Sequence, residues 1–409
     1  MPAQGELYAV VERKLQEVLA EQGLRVTTVR RLALLIVGLL GAGSSVMNRM
    51  ATGLWERGVS TAEQPSILRR LRRALGDRLV HATTCYEPAV RTLVDWDRLR
   101  RRGKPVVLAL DESSQDDRVH LLRVSLTYWG TALPLAWEVW PQNVAMEAGT
   151  YWQRIEQVLV RTGAIVPLGL GVIVTADRAF DVAAFVDRLA ARGWHWVIRL
   201  RAAGKHRFLD HQGREHSLKA LIERHVAAPG QRWKARGRIF KGAGWRDASV
   251  VAVWTPGHKE RLVVITDLPP RWEAIAHYDR RFWIEAGFRT DKSSGWHWED
   301  SRVADLDRQR RLLVAMAWAT LLVLILGLAD ARASLSALTL PPQRGRPPKP
   351  QPARESLFSI GLRLARRWLA RVSFPAFSWR LSRLSSLAWD ARWRHAQSQR
   401  FLFPKTVPL

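Results

Sequence analysis

Four side chains between residues 278 and 292 have the types and the spacing to act on a phosphate group. Tyr278, Arg281, Glu285 and Lys292 follow one another at intervals of three, four and seven residues. Because an α-helix turns by about 100° per residue, a helix would place all four within about 60° of one another. A carboxylate flanked by two cations and a phenol suits a site in which a metal-bound carboxylate works beside phosphate oxygens.

The flanking sequence predicts one helix for this stretch. Two prolines precede it at positions 269–270, and a Ser-Ser-Gly stop signal follows at 293–295. The alternative is a purely structural helix. Glu285 and Arg289, four residues apart, would then form a surface ion pair, and Tyr278 would be half-buried packing. The stretch alone leaves both interpretations open.

The composition predicts a folded protein that binds a polyanion. The chain has 409 residues, of which 47% are hydrophobic, enough for packed cores in two or three structural units. Its 64 Lys and Arg residues outnumber 37 acidic ones, giving a formal net charge of +27. This excess favours nucleic acid as the partner, with an anionic membrane surface second. The single cysteine, Cys85, excludes a disulfide within the chain and a cysteine-based zinc site.

Two features bear on the location of the protein. The first residues lack the basic and then apolar pattern of a signal peptide, so a cytoplasmic protein is expected. Leu312 to Ala329 is a run of 18 residues without a charge, which meets the lower limit for a membrane-spanning helix. We favour a helix buried in a soluble core and no membrane partner, because only one such segment exists and it just reaches that length.

The middle of the chain has the pattern of an α/β sheet flanked by helices. PVVLALD is an apolar run that ends in Asp111, and GVIVTAD is another that ends in Asp177, so both are interpreted as buried strands. Between them a hairpin is predicted to turn at Trp129-Gly130. Helical patterns alternate with these strands, which is typical of the α/β class.

The predicted organisation has three parts. Residues 101–330 form an α/β catalytic domain, interrupted at 202–270 by a β-rich insertion with many Lys, Arg and Trp residues. Residues 331–409 form a basic tail of 15 Lys or Arg and two acids, in which a Pro/Arg linker precedes an amphipathic helix. Residues 1–100 are helical and are expected to bind DNA. Four arginines near the end of their basic helix could contact DNA or simply face solvent: Arg69, Arg70, Arg72 and Arg73.

Asp111, Asp177 and Glu285 are the candidate metal ligands. Two follow directly on buried strands and one sits on a helix, so the three can meet at one edge of a sheet. Carboxylate oxygens suit Mg²⁺ or Mn²⁺, and two such ions about 4 Å apart can clamp both oxygens of a phosphodiester exchange. Each aspartate alone is more commonly a turn residue. Glu112 is a competing ligand, but an alternating strand would point it to the opposite face.

Together these segments resemble a DDE transposase of a bacterial insertion sequence, in the IS-four group. The Y-x2-R-x3-E-x6-K signature of that group matches the four residues from Tyr278 to Lys292 with no departure in spacing. The segments LALDES and IVTADRAF also resemble those around the family's two aspartates. The resemblance covers about residues 105 to 330, and the helical N-terminal part is compatible with it.

The resemblance implies an RNase H-like catalytic core and cut-and-paste transposition by metal-dependent DNA strand cleavage and strand transfer. Asp111, Asp177 and Glu285 would hold Mg²⁺ or Mn²⁺, with two ions expected. The implied partner is double-stranded DNA, at the transposon ends and at the target, with a dimer in the synaptic complex. The alternative function is a DNA-binding regulator with a catalytically silent core, although all three acids are present.

The resemblance also implies DNA contacts. Arg281 and Lys292 would contact the phosphate backbone near the transferred end, Tyr278 would contact a terminal phosphate, and Arg289 is counted with them. A tryptophan in the insertion is implied to stack on a flipped base. Its candidates, for which core packing is the alternative, are Trp245 and Trp233.

The basic tail contains a short sequence that could enter a DNA minor groove. Arg344-Gly345-Arg346-Pro347 matches the core of an AT-hook, whose arginines enter a narrow A·T minor groove. A plain basic linker is the alternative. We therefore count Arg344 and Arg346 among the candidate DNA contacts.

Overall fold

Helices form the first hundred residues, as their amphipathic patterns predict. The computed structural model describes residues 6–100, 104–116, 118–201, 206–337, 356–369 and 378–381. The first seven helices are α1 Glu6–Val18, α2 Val26–Ala42, α3 Met47–Glu56, α4 Gln64–Leu75, α5 Ala82–Cys85, α6 Glu87–Leu93 and α7 Trp96–Arg100. The apolar helix α2 is largely buried, and α1, α3 and α4 pack around it.

Ten strands follow in the described residues, five before the predicted insertion and five within it. They are β1 Val106–Gln115, β2 Val119–Tyr128, β3 Thr131–Pro141, β4 Val172–Ala176, β5 His195–Arg199, β6 Arg207–Leu209, β7 Glu215–Ser217, β8 Arg232–Ile239, β9 Arg246–Val253 and β10 Leu262–Thr266. The predicted hairpin is confirmed, because Trp129 and Gly130 join β2 to β3 with φ angles of 46° and 79°. Two positive φ values in a two-residue connection match the twist of the flanking strands.

All ten strands belong to one mixed sheet, in the order β3-β2-β1-β4-β5-β10-β9-β8-β6-β7. β2 runs antiparallel to both of its neighbours, β1 and β3, whereas β4 and β5 run parallel to β1. β10 pairs antiparallel with β5, and the antiparallel strands β9, β8, β6 and β7 follow. The segment predicted as a β-rich insertion is therefore rich in strands, and these strands extend the same sheet.

Helices cover both faces of the sheet. They are α8 Thr150–Ile165, α9 Ala183–Ala190, α10 Leu218–His225, α11 Glu273–Asp279, α12 Phe282–Arg289, α13 Leu306–Ala337 and α14 Leu357–Leu369. One face belongs to a large apolar cluster that includes α8, α9 and α13. On the other face, α11 packs on a smaller cluster that includes Val107, Val251, Val264 and Ile275. The helix pair α11 and α12 thus lies on the Val107 side of β1.

The long helix α13 contains the uncharged segment singled out in the sequence. Within the described ranges, residues Leu306–Asp330 are long and apolar enough to cross a membrane by length and composition, and 94% of the apolar window is buried in the protein. The bent pair α2 and α3 passes the same test only if it is counted as one span. Burial of this kind is what the core-helix interpretation predicts. That the protein has no membrane partner stays a prediction.

The predicted helix in the basic tail is confirmed as α14, which packs against α13. Glycines let the two backbones approach closely. A Cβ added to Gly361 would lie 1.8 Å from the carbonyl oxygen of Val323, and one added to Gly327 would lie 2.2 Å from that of Leu357. The described part of the tail therefore belongs to the packed helical body.

Candidate active site

Two parallel strands place the predicted aspartates side by side. β1 and β4 are paired as far as Leu110 and Ala176; Asp111 is the next residue on β1, and Asp177 directly follows the end of β4. Asp111 shares its strand face with Val107, which lies under α11. Both carboxylates therefore lie at the end of the sheet that α11 and α12 cover.

The predicted single helix from Tyr278 to Lys292 is wrong in detail. α11 ends at Asp279 and α12 begins at Phe282, with Arg280 and Arg281 forming a turn in right-handed helical geometry between them. The helix then widens, because residues Thr290–Ser294 form a π-helical turn that ends before Gly295. The stop signal is confirmed, but Lys292 does not have the angular position that a regular α-helix would give it.

The three predicted carboxylates surround one guanidinium group. Arg281 Nη1 lies 2.6 Å from Glu285 Oε1, and its Nη2 lies 3.1 Å from Asp111 Oδ2 and 3.8 Å from Asp177 Oδ2. The Arg281 side chain is only 7% exposed. The predicted surface pair between Glu285 and Arg289 is not formed, because Glu285 bonds to Arg281 on the preceding turn instead.

Electrostatics explain why a cation sits among these acids. Burial raises the pKa of Asp111 to about 6, and the Arg281 guanidinium opposes this rise. The negative charges of Asp177 and Glu285 raise the same pKa further. Three carboxylates so placed repel one another unless a positive charge lies between them. In this structure, Arg281 supplies that charge.

The chemical type of the ligand atoms in this site suits a hard divalent cation. Three carboxylates supply only oxygen ligands, which is what Mg²⁺ and Mn²⁺ prefer. Among the described residues, no group of three His, Cys, Asp or Glu side chains lies close enough to hold a metal ion. The carboxylates converge on Arg281, so metal binding would require Arg281 to shift away from at least some of them. The metal-binding roles of Asp111, Asp177 and Glu285 stay a prediction.

A groove of about 570 Å³ opens beside the carboxylates. Acidic and basic side chains both line it; its walls include Asp111, Glu112, Arg281, Glu285, Phe288, Arg289, Lys292 and Glu299. Lys292 Nζ lies 3.5 Å from Glu299, and Arg289 is exposed. Cations that flank carboxylates along an open groove are suited to phosphate oxygens on either side of the reacting one.

Tyr278 lies deeper than its predicted role requires. Its ring is fully buried in the smaller apolar cluster, edge-on to Phe282 at 5.9 Å between ring centroids. Burial raises the pKa of its hydroxyl to about 12. The Tyr278 phenol therefore packs between its own helix, α11, and the sheet. A contact with a terminal phosphate stays a prediction.

Glu112 faces away from the three carboxylates, as the strand alternation predicts. Its carboxylate accepts a hydrogen bond of 2.6 Å from the Tyr151 hydroxyl on α8, and it lies 3.4 Å from His120 Nε2. Both partners belong to the other side of β1. Glu112 is therefore held by the hydrogen bond from Tyr151 on α8. Although it is the residue next to Asp111, it lies on the opposite face of β1.

Sequence reasoning missed the buried contacts that hold the π-helical turn. Arg123 on β2, opposite Asp111 in register, forms an ion pair with Asp291, and both side chains are at most 7% exposed. The Arg123 guanidinium also lies 4.3 Å from the centre of the Phe288 ring. An arginine inside the apolar run VHLLRVSLTY was the available signal, because a buried cation needs a counter-charge.

A buried polar network fixes the chain that follows this turn. Gln115 at the end of β1 donates to the Trp298 carbonyl at 2.6 Å, and Gln309 on α13 donates to Gln115 at 2.6 Å. The Trp298 indole N–H donates to Gln309 at 2.7 Å. These contacts join three elements: β1, α13 and the loop that carries Glu299. The network therefore fixes the wall of the groove that Glu299 lines.

The other predicted DNA contacts are scattered. Trp233 packs against the large cluster and stacks on His225 at 5.3 Å, so it is a packing residue. Trp245, at the β8–β9 connection, is half-buried and belongs to neither apolar cluster. The four arginines of α4 are exposed. Arg344 and Arg346 lie outside the described residues.

Comparison with known proteins decides the family. A family model for the transposase DDE domain matches residues 90–322, more than half of the chain. This chain belongs to the transposase DDE domain family. The match begins in α6, ends in α13 and includes all ten strands.

Other comparisons add little to this assignment. No curated protein sequence matches the chain. Among solved structures, the DDE transposase is similar to one described as the cryo-EM structure of a piggyBac transposase synaptic complex with hairpin DNA. That similarity has 10% sequence identity and a TM-score of 0.39, and it covers 98% of this chain and 88% of the other. The family assignment rests on the domain match.

Proposed function

We propose that the chain is a cut-and-paste DNA transposase of an insertion sequence, in the IS-four group. The observation that carries the proposal is that Asp111, Asp177 and Glu285 all contact the buried Arg281 guanidinium in a transposase DDE domain. The spacing of Tyr278, Arg281, Glu285 and Lys292 supports the group. The order β3-β2-β1-β4-β5, with β4 and β5 parallel to β1, supports an RNase H-like core.

In this proposal Asp111, Asp177 and Glu285 hold Mg²⁺ or Mn²⁺ ions. When bound, two such ions stabilise the charge that develops on the attacking and leaving oxygens of a phosphodiester. The residues of the chain orient the DNA around them. Lys292 and Arg289 lie on the groove wall beside the carboxylates, where they bind phosphate oxygens and hold the scissile bond in place. Arg281 joins them once it is no longer needed to neutralise the acids.

The partners follow from the same proposal. Double-stranded DNA, at the element ends and at the target, is the substrate, and the positive net charge of +27 favours it. Residues 1–100 supply a DNA-binding domain, residues 101–330 the catalytic domain with its insertion, and residues 331–409 a basic tail. Two copies meet in the synaptic complex, because two DNA ends must be processed together. The protein acts in the cytoplasm, on nucleoid DNA.

A cleavage assay tests this function. The substrate is a duplex that carries the gene for this chain with its flanking DNA, since the ends of an insertion sequence lie outside its gene. With Mg²⁺ we expect strand breaks at two positions that bracket the gene, and with EDTA we expect none. End mapping by sequencing locates the breaks. DNA binding without any Mg²⁺-dependent break would instead support the regulator with a silent core.

A further inference from the structure

The row of residues that contains the aspartates continues across the sheet to β8. Leu110 on β1 pairs with Ala176 on β4, and Ala176 pairs with Ile198 on β5, so the residues that come next, Asp111, Asp177 and Arg199, continue as one row. Arg199 pairs with Val264 on β10. Val264 pairs with Val251 on β9, and Val251 pairs with Lys234 on β8. Residues in one cross-strand row point to the same face. Lys234 therefore shares a sheet face with Asp111, five strands away and about 24 Å at the usual 4.8 Å spacing.

β8 carries a row of cations on this face. Its exposed residues alternate with half-buried ones along the strand, and the exposed side chains are Arg232, Lys234, Arg236 and Arg238. The alternate residues Trp233 and Ala235 pack on the large cluster, on the opposite face. Side chains two residues apart on a strand are about 6.7 Å apart, so the row presents charges at regular intervals.

The four cations are not equivalent. Arg236 donates to the carbonyl oxygens of Asp267 and Leu268 at 2.7 and 3.2 Å, and Arg238 lies 3.6 Å from Asp247. Among the described residues, no carboxylate lies within 4 Å of Arg232 or Lys234. These two charges are therefore the ones left for a partner.

Trp272 holds these two charges in place. The Arg232 guanidinium and the Lys234 ammonium lie 4.9 and 5.2 Å from the centre of its ring. The ring is half-buried against the smaller cluster, beside α11. A cation over an aromatic face is attracted to the ring, which restricts the side chain while its charge stays in solvent.

We propose that Arg232 and Lys234, positioned by Trp272, bind the phosphate backbone of the duplex DNA that flanks the cleavage site. This inference rests on the proposed function. α11 covers the apolar middle of the row. The charged residues left for the duplex are therefore at the two ends of the row, the carboxylates at one end and the β8 cations at the other. Phosphates on one strand advance by about 3.4 Å per base pair, so a separation of about 24 Å places the β8 contact about seven base pairs from the cut.

The test measures binding of the full chain to a random-sequence duplex as a function of salt, without divalent ions. For R232A/K234A, removal of two phosphate contacts is expected to lower the slope of log Kd against log salt by about 1.8. If the two proteins bind equally at 1 M salt, this corresponds to an affinity about 60-fold weaker at 0.1 M salt. The matched control is K219A/R224A, which removes two exposed cations from α10, a helix of the same insertion on the other face. Its slope should match that of the unchanged protein.

Several outcomes separate this proposal from the proposed function. If R232A/K234A has the same salt slope as the control K219A/R224A and still cuts DNA with Mg²⁺, the β8 contact is overturned. The proposed function is then unaffected. If the salt slope of R232A/K234A falls as expected but the unchanged protein never cuts DNA, the result supports the β8 contact and counts against the proposed function. If R232A/K234A melts earlier than the unchanged protein, R232Q/K234Q, which keeps longer side chains over Trp272, is measured in its place. Hydroxyl-radical protection about seven base pairs from the cut, lost in the variant, supports the contact independently.

Discussion

Asp111→Asn is expected to slow Mg²⁺-dependent DNA cleavage by about a thousandfold, while the affinity for DNA changes by less than about threefold. The substitution removes one of the charged oxygens proposed to hold the metal ions. A loss of about 4 kcal/mol of transition-state stabilisation corresponds to that change in rate, and a metal ion supplies several kcal/mol. Single-turnover cleavage gives the rate, and fluorescence anisotropy without divalent ions gives the affinity.

Glu112→Gln is the matched control for this substitution. It removes the same charge one residue further along β1, but its side chain bonds to Tyr151 on the opposite face of the strand. Glutamine still accepts a hydrogen bond from that hydroxyl. Cleavage by Glu112→Gln should therefore stay within about threefold of the unchanged protein. Equal losses in the two variants would contradict the assignment of Asp111 as a metal ligand.

Arg281→Gln is expected to lower the free energy of unfolding by about 3 kcal/mol in EDTA, because it removes the counter-charge from three neighbouring carboxylates. Divalent ions should restore most of that loss, since they bind the folded site and supply the missing charge. The unchanged protein should gain less from the same ions, because Arg281 competes with them. Thermal melting in EDTA and at increasing Mg²⁺ or Mn²⁺ measures both effects.

Arg281→Lys is the control that separates charge from shape. Lysine keeps one positive charge, but it lacks the planar fork of the guanidinium with which Arg281 reaches three carboxylates. Its stability in EDTA should lie between those of the unchanged protein and Arg281→Gln, and its response to Mg²⁺ should be smaller than that of Arg281→Gln. If Mg²⁺ raises the melting temperature of all three proteins equally, Arg281 does not compete for the metal-binding carboxylates.

The sequence predicts the placement of the aspartates because that placement depends on local patterns. Continuous apolar runs mark β1 and β4 as buried strands, and parallel neighbours bring the residues that follow them to one edge. Glu285, on a helical pattern with a start signal before it and a stop signal after it, becomes the candidate third acid once it is combined with the two aspartates. The alternating pattern of β1 also predicts that Glu112 faces the other way. Each of these inferences needs only residue type and period.

Other features of the site depend on contacts between distant segments. The turn at Arg280 and Arg281 and the π-helical residues Thr290–Ser294 have the composition of an ordinary helix. What fixes the π-helical turn is the buried pair of Arg123 and Asp291, which are 168 residues apart in the sequence. Local propensity carries no information on such a pair. The same holds for Tyr278, whose burial under α11 follows from the packing of five strands.

The continuation of the sheet through the insertion is also a tertiary effect. Short Gly-broken runs predict strands but not their partners, and β10 pairs with β5 across more than sixty residues of chain. That pairing brings Arg232 and Lys234 into the sheet that carries Asp111. Their alternation with Trp233 and Ala235 is visible in the sequence. Their relation to the carboxylates is visible only once the strand order is known.

The most direct test is the position of Mn²⁺ in crystals of the protein with DNA, located by anomalous scattering. The account predicts Mn²⁺ at about 2.1 Å from oxygens of Asp111, Asp177 and Glu285, with Arg281 displaced from at least two of the three carboxylates. Mn²⁺ bound elsewhere, with Arg281 still bridging all three acids in a complex that cleaves its DNA, would contradict it.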